Sequence, residues 1–525
     1  MDEAAHFESC APFAPGYRAA GVLLHVTALP GPYGIGDIGP GACAWIDRLV
    51  DAGQSWWQVL PLSPTGKRHS PYEPLSSFAG NPLLLSPDWL VEDGLIRDED
   101  RRGRSFPAEF VDYDQVSPFK YHLLAIAWQN FRNRARSDLR GDFEGYCHAQ
   151  RRWLDDFSLF VALKEKYGDV TYTEWPLPLA RHEESAVAAA RSELLERAEQ
   201  VRFGQFLVAR QWNRLRDHAR WRGLRLMGDL PIFVSLDSCD AWAHREVFQL
   251  DDHCRPQALS GVPPDYFSPH GQLWGNPPYN WQKLAETGYR WWFDRLRSQL
   301  ACLDLVRLDH FRGFEAAWHV RPGAETAREG EWRTGPGSHF LKALQKELGG
   351  LPFVAEDLGL ITDPVRALRD EFHLPGMRVL QFAFEGDPKN PFLPHNFLPN
   401  TVVYTGTHDN DTTRGWYESL EHAPRAQVDE YLNRSDSGTP IAWDLIRLAW
   451  LSVGALAVVP LQDLHNLDTS ARFNRPGEPD GNWRWRATGD TLPDHLVHQL
   501  RRLTEISNRL PSSQAPFLVY HKVPS

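Results

Sequence analysis

Short runs of β-branched and aliphatic residues alternate with amphipathic helical stretches, and that alternation narrows the available folds more than any other feature. The runs fall at 19–29, 56–62, 224–234, 303–309, 353–359, 377–384, 401–409 and 453–464. Helical periodicity separates them, as at 42–52, where Trp45, Ile46, Leu49 and Val50 share one side, and near 338–348 and 364–371. Strands alternating with helices specify a parallel sheet. Eight such units favour closure into a (β/α)8 barrel over an open doubly wound sheet. Two intervals are too long for simple crossovers. The stretch 63–220 reads as a mostly helical insertion, with clear apolar periodicity at 121–134 and 157–167, and 236–300 as a second insertion. The expectation is an α/β chain forming a single (β/α)8 TIM barrel domain over 1–525, with large inserted subdomains between barrel strands.

Charge and cysteine content exclude several classes. The net charge of −12 disfavours nucleic acid and anionic membranes as partners, since a phosphate-binding surface is normally basic. The six cysteines form no C-x-x-C pair and read as reduced thiols rather than a zinc site or disulfide scaffold. The acidic segment Met1–Glu8 lacks the layout of a signal peptide, and the longest apolar runs, such as 453–461, are too short to span a bilayer. A cytoplasmic protein, monomeric or weakly homo-oligomeric, is expected. The segment Gly34-Ile35-Gly36-Asp37-Ile38-Gly39 matches G-x-G-x-x-G. However, the next strand ends Val59-Leu60-Pro61-Leu62 without a ribose-binding acid, and Asp37 would face the pyrophosphate. It reads as a Gly-rich turn, and no organic cofactor is expected.

Three strand ends carry polar groups: Arg307/Asp309/His310, Glu356/Asp357 and His408/Asp409. In a barrel the C-terminal strand ends converge on one mouth. Paired carboxylates there, in a chain with 21 Trp, 27 Phe and 15 Tyr, suit glycosyl transfer, because aromatic rings cover the flat C–H faces of sugars. Arg307, two residues before Asp309, favours an ionised nucleophile. Glu356, after Phe353-Val354-Ala355, lies where desolvation raises a carboxyl pKa and suits an acid/base. Asp357 is an alternative acid, although alternation puts it on the opposite face from Glu356. Asp409 would be a third carboxylate, and His310 and His408 could bond the same sugar. Asp and His at strand ends also serve hydrolytic metals, but no H-x-H or H-E-x-x-H pattern supports a metal here.

The motifs Asp309-His310-Phe311-Arg312-Gly313, Ala355-Glu356-Asp357-Leu358-Gly359 and Thr407-His408-Asp409-Asn410 resemble those of amylomaltase, the 4-α-glucanotransferase family related to plant disproportionating enzyme. Ser70-Pro71-Tyr72, Gly228–Val234, Gly261–Phe267, Gln272–Pro277, Asn474–Gly477 and Gly481-Asn482-Trp483 extend the resemblance over about 19–510, in the family's order. It implies Asp309 as nucleophile, Glu356 as acid/base and Asp409 as transition-state stabiliser, with no metal or cofactor. Tyr72, Asp229, Arg307, His310 and His408 would surround the donor sugar, Asn474 would also bind substrate, and Tyr266, Gln272 and Trp274 would belong to a loop over the acceptor side. Two segments depart from the family: His69 stands where Asp is expected, and His465–Asp468 replaces a Gly-rich stretch. The extra N-terminal domain of some longer relatives is expected to be missing. The activity implied is retaining transfer of α-1,4-glucan segments between glucans or maltooligosaccharides, including cyclisation. An α-1,4-glucan hydrolase using the same carboxylates and a catalytically silent glucan-binding protein remain the alternatives.

Overall fold

The computed structural model describes residues 11–134, 137–264, 269–434, 438–478 and 480–511. Its strands are β1 (Ala19–Leu23), β2 (Trp56–Gln58), β3 (Arg225–Pro231), β4 (Leu259–Val262), β5 (Gln272–Leu273), β6 (Leu305–Asp309), β7 (Ala316–Val320), β8 (Gly330–Thr334), β9 (Phe353–Ala355), β10 (Gly376–Val379), β11 (Thr401–Tyr404) and β12 (Leu456–Pro460). Eight of them form one parallel sheet in the order β10-β11-β12-β1-β2-β3-β6-β9. These lie within or overlap the eight apolar runs, but are shorter. The first run stops pairing at Leu23, and the last turns helical at Leu461–Leu464.

Alternation along these strands separates two environments, as the two-residue side-chain period requires. Met227, Leu305, Val354, Met377, Val379, Val402, Tyr404, Leu456 and Val458 pack on one another inside the barrel. Their neighbours Val306, Leu308, Phe353, Ala355, Val403, Ala457 and Val459 belong to the shell shared with the surrounding helices, where they join Ile46, Leu296, Phe340 and Leu445. The two ends of the sheet meet where the Ala355 N–H donates to the Pro375 carbonyl (2.9 Å). Asp357 completes the seam. It accepts the Met377 N–H at 2.7 Å and pairs with Arg369 at 2.5 Å. Gly376 permits this approach, since a Cβ there would lie 2.6 Å from an Asp357 oxygen. The carboxyl weighed above as an alternative acid therefore points away from the mouth and holds the barrel shut.

Between β2 and β3 run long helices at Tyr113–Arg134, Ser137–Lys166 and Leu195–Trp221. Aromatic contacts join them, as between Phe131 and Phe203, whose ring centroids lie 4.5 Å apart. The remaining strands form a second, antiparallel sheet in the order β5-β4-β7-β8, which sequence reading does not foresee. The Gly34–Gly39 turn serves packing: a Cβ on Gly36 would lie 1.9 Å from the Val26 carbonyl oxygen. Among the described residues, no helix is long and apolar enough to cross a membrane.

Candidate active site

Strand register assembles the centre of the mouth. Asp229 on β3 pairs with Arg307 on β6, and Leu308 on β6 pairs with Ala355 on β9. Register partners in a parallel sheet send their side chains to the same face. The Arg307 Nη1 accordingly lies 2.8 and 2.7 Å from the two Asp229 oxygens. It also sits 2.9 Å from Asp309 Oδ1. One step beyond Leu308 and Ala355 come Asp309 and Glu356, on backbones about 4.8 Å apart. That step suits carboxyls separated by roughly 5–5.5 Å, the spacing of retaining glycosidic chemistry.

Backbone groups aim Glu356. Its Oε2 accepts the His310 N–H (2.7 Å) and its Oε1 the Leu358 N–H (2.8 Å). His310 adopts left-handed backbone (φ 53°), a conformation uncommon outside glycine that turns its N–H onto the carboxylate. Asp409 lies on the loop after β11. Its Oδ1 accepts the Asn474 amide at 2.6 Å and lies 3.3 Å from His408 Nε2. Arg472 braces this pair by donating to the carbonyls of Asp409 (2.8 Å) and Asn474 (2.9 Å).

Tyr72 roofs one side of the mouth. Its hydroxyl donates to Asp229 Oδ2 (2.8 Å), and its ring stacks on His408 with centroids 5.1 Å apart. Opposite, Trp274 meets His310 edge-on at 4.8 Å and donates to Gln272 Oε1 at 3.3 Å. Tyr266 lies outside the described residues. His69, the departure from the expected Asp, adopts φ 57° and stacks on Tyr113 at 3.8 Å. The Tyr113 hydroxyl in turn donates to the Trp483 carbonyl (2.9 Å). In the second departing segment, His465 bonds the Thr491 carbonyl (2.8 Å) and Asp468 caps Ser470 (2.9 Å).

Several residues at the mouth escape sequence reading. Trp483 packs against Tyr72 and His408, with centroids 5.7 and 6.0 Å away. Beneath the mouth, the buried Tyr404 hydroxyl donates to the buried Gln58 Oε1 (2.9 Å). The signal was present for Gln58, a lone amide at an inward position of an aromatic strand.

Burial dominates the electrostatics. It pushes Asp309 up to about 8, with Arg307 opposing and Asp229, Glu356 and Asp409 adding to the rise. Burial also raises Glu356, against Arg307 and the two amides. Arg307 opposes the rise at Asp309 as expected, but its guanidinium is shared with Asp229. The close pair therefore retains a proton near neutrality. Glu356 is the favoured place for it, because Arg307 contacts Asp309 directly, whereas the groups bonded to Glu356 are backbone amides. Tyr72 is raised well above its usual value, foremost by burial, and stays a neutral donor. Burial lowers His310 to about 3 and also lowers His408, so both imidazoles are uncharged near neutrality.

The family model described as 4-alpha-glucanotransferase matches residues 24–491. The chain belongs to the 4-alpha-glucanotransferase family. A 4-alpha-glucanotransferase of Thermus thermophilus is 46% identical over 502 residues, covering 94% of this chain and 99% of the relative. One from Synechocystis is 47% identical over 496 residues, covering 94% and 98%. Among solved structures, the amylomaltase of Streptococcus agalactiae in complex with acarbose superimposes with a TM-score of 0.91 at 36% identity, over 94% of this chain and 100% of that one. An amylomaltase of Corynebacterium glutamicum, at 19% identity and a TM-score of 0.73 over 97% and 76%, shares the fold. The family's barrel and the strand-end carboxyls expected from the sequence thus coincide in one glucanotransferase chain.

Proposed function

We propose that the protein is a retaining 4-α-glucanotransferase in which Asp309, Glu356 and Asp409 carry the chemistry. Asp309 attacks the anomeric carbon of an α-1,4-glucan while Glu356 gives its proton to the departing 4-oxygen. A β-glycosyl ester forms on Asp309, and Glu356 is left ionised. The 4-hydroxyl of a second glucan, or of glucose, then passes its proton to Glu356 and attacks the ester from the opposite face. A new α-1,4 bond forms and both carboxyls return to their starting state. Asp409 faces the positive charge that develops on the sugar. Asn474 and His408 hold its orientation, while Tyr72, Asp229, Arg307 and His310 grip the donor ring. Gln272, Tyr266 and Trp274 would cover the acceptor.

The observation that carries this reading is the adjacent register of Asp309 and Glu356, with Arg307 against the first and two amides on the second. One α-1,4 bond replaces another, so transfer outcompetes water only where the acceptor is held and water kept out. We assign the glucan as sole substrate class, without cofactor, nucleic acid or membrane, to a cytoplasmic monomer or weak homo-oligomer built on one barrel with insertions at 63–220 and 236–300. Incubation with maltotriose tests the activity. Longer maltooligosaccharides and glucose should accumulate at constant total reducing ends. A steady rise in reducing ends without longer products would mark a hydrolase, and no products at all a binding protein.

A further inference from the structure

The catalytic loops are fastened to the antiparallel sheet at one buried guanidinium. Arg312 lies in the 3-10 turn Phe311–Phe314, two residues past His310, and its side chain is 6% exposed. It donates to the carbonyl of Leu360, four residues after Glu356. The same turn also donates the Phe311 N–H to the Glu356 carbonyl (3.2 Å). Arg312 therefore ties the loop after the nucleophile strand to the loop after the acid/base strand. Its flat face is covered by Trp332 of β8, with the guanidinium carbon 3.7 Å from the ring centroid.

Trp332 belongs to the sheet that bears the acceptor-side residues. It pairs across strands with Trp318, and Trp318 pairs with Gly261 of β4. The other edge of β4 pairs with β5, which begins at Gln272 just before Trp274. The sheet cannot slide freely past the catalytic turn. Gly335, just after β8, donates to the Glu315 carbonyl (2.7 Å), and a Cβ there would come within 2.3 Å of the Phe314 carbonyl oxygen. Trp274 supplies a second contact point at His310.

We propose that Arg312 and Trp332 form a positioning pair that couples acceptor occupancy to the placement of Glu356 against Asp309, and so sets the partition between transfer and hydrolysis. A glucan resting on Trp274 loads β5 and β4. The sheet passes this load through Trp332 onto Arg312, and Arg312 holds the Leu360 loop, and Glu356 with it, in the geometry that deprotonates a sugar hydroxyl. Neither residue touches substrate. Trp332 is 36% exposed on an edge strand, so shortening it leaves the barrel core intact.

The inference rests on the proposed transferase reading, and the test separates the two. Wild type, Trp332→Phe, Trp332→Ala and Arg312→Lys are incubated with maltotriose plus glucose, and longer products and new reducing ends are followed together. Trp332→Ala should raise the ratio of hydrolysis to transfer by about tenfold and raise KM for glucose, at a near-unchanged melting temperature. Trp332→Phe, which keeps a flat ring on the guanidinium, should stay within about twofold of wild type. Arg312→Lys keeps the charge but loses the planar fork, so it should move the ratio the same way as Trp332→Ala. An unchanged ratio in Trp332→Ala overturns the coupling. So does an equal loss of both reactions in Trp332→Ala and Trp332→Phe, the mark of a merely structural ring. A wild-type enzyme that only hydrolyses overturns the transferase reading and this inference with it, and is recognised before any variant is examined.

Discussion

Arg307 serves three residues at once: Asp229 through both oxygens, Asp309 through one, and Tyr72 through Asp229. Removing a buried charge partner costs about 3–5 kcal/mol, so Arg307→Met should lower the melting temperature as well as abolish turnover. Asp309→Asn should behave in the opposite sense. A carboxyl whose folded pKa lies above its unfolded value weakens the fold as pH rises from one to the other. For the Asp309–Glu356 pair, which titrates as a unit, that window runs from about 4, the unfolded value, to about 8, and removing either carboxyl abolishes it. Inactive Asp309→Asn should therefore melt above wild type near pH 9, with the gap closing below about pH 4. A pH-independent gap would count against the shift. Tyr72→Phe keeps the stack on His408 but leaves one Asp229 oxygen without its hydroxyl donor, a loss of about 1–3 kcal/mol. We expect a raised KM for maltotriose, with Tyr72→Ala worse again because the stack also goes.

At the scale of elements, the antiparallel sheet depends on close approach. A Cβ on Gly261 would lie 2.4 Å from the Gln272 carbonyl, so Gly261→Ala must push β5 outward with Gln272 and Trp274. The expected result is a several-fold higher KM for glucose as acceptor, with the slow hydrolysis of maltotriose little altered. Equal damage to both reactions would show that the sheet serves the whole mouth. This sheet was illegible in the sequence for a physical reason. Its strands are two to five residues long, β8 is exposed throughout, and pairing partners lie up to about sixty residues apart, so no apolar period marks them. The barrel strands were legible because both their faces are buried, which writes continuous aliphatic runs. Their ends were overestimated, since residues such as Leu24 and Leu461 stay buried after pairing stops.

Over the whole molecule, the three carboxyls could be located because a barrel gathers strand ends at one mouth whatever lies between them in the chain. Their surroundings were legible only in part, at the strand ends and through the family's motifs. Trp483 and Arg472 reach the mouth from loops with no periodicity, and the role of Asp357 depends on which strands close the sheet. Asp357→Ala should cost about 1–3 kcal/mol, since it frees the buried Met377 amide and takes from Arg369 one of its two carboxylate partners, leaving Asp370. Chemical denaturation would measure that loss. A substitution as mild as surface polishing would mean the backbone bond from Ala355 to Pro375 suffices to close the barrel.

Positions 356 and 357 stand side by side in the chain, one facing the mouth and the other the seam. A library of substitutions scored once for the amount of intact protein and once for product would split these neighbours cleanly. Changes at 356 should leave plentiful, silent enzyme, whereas changes at 357 should deplete the protein while the surviving molecules still work. Inserting or deleting a single residue at this point would exchange the two duties, so the spacing between strand β9 and its loop tolerates no slip in either direction.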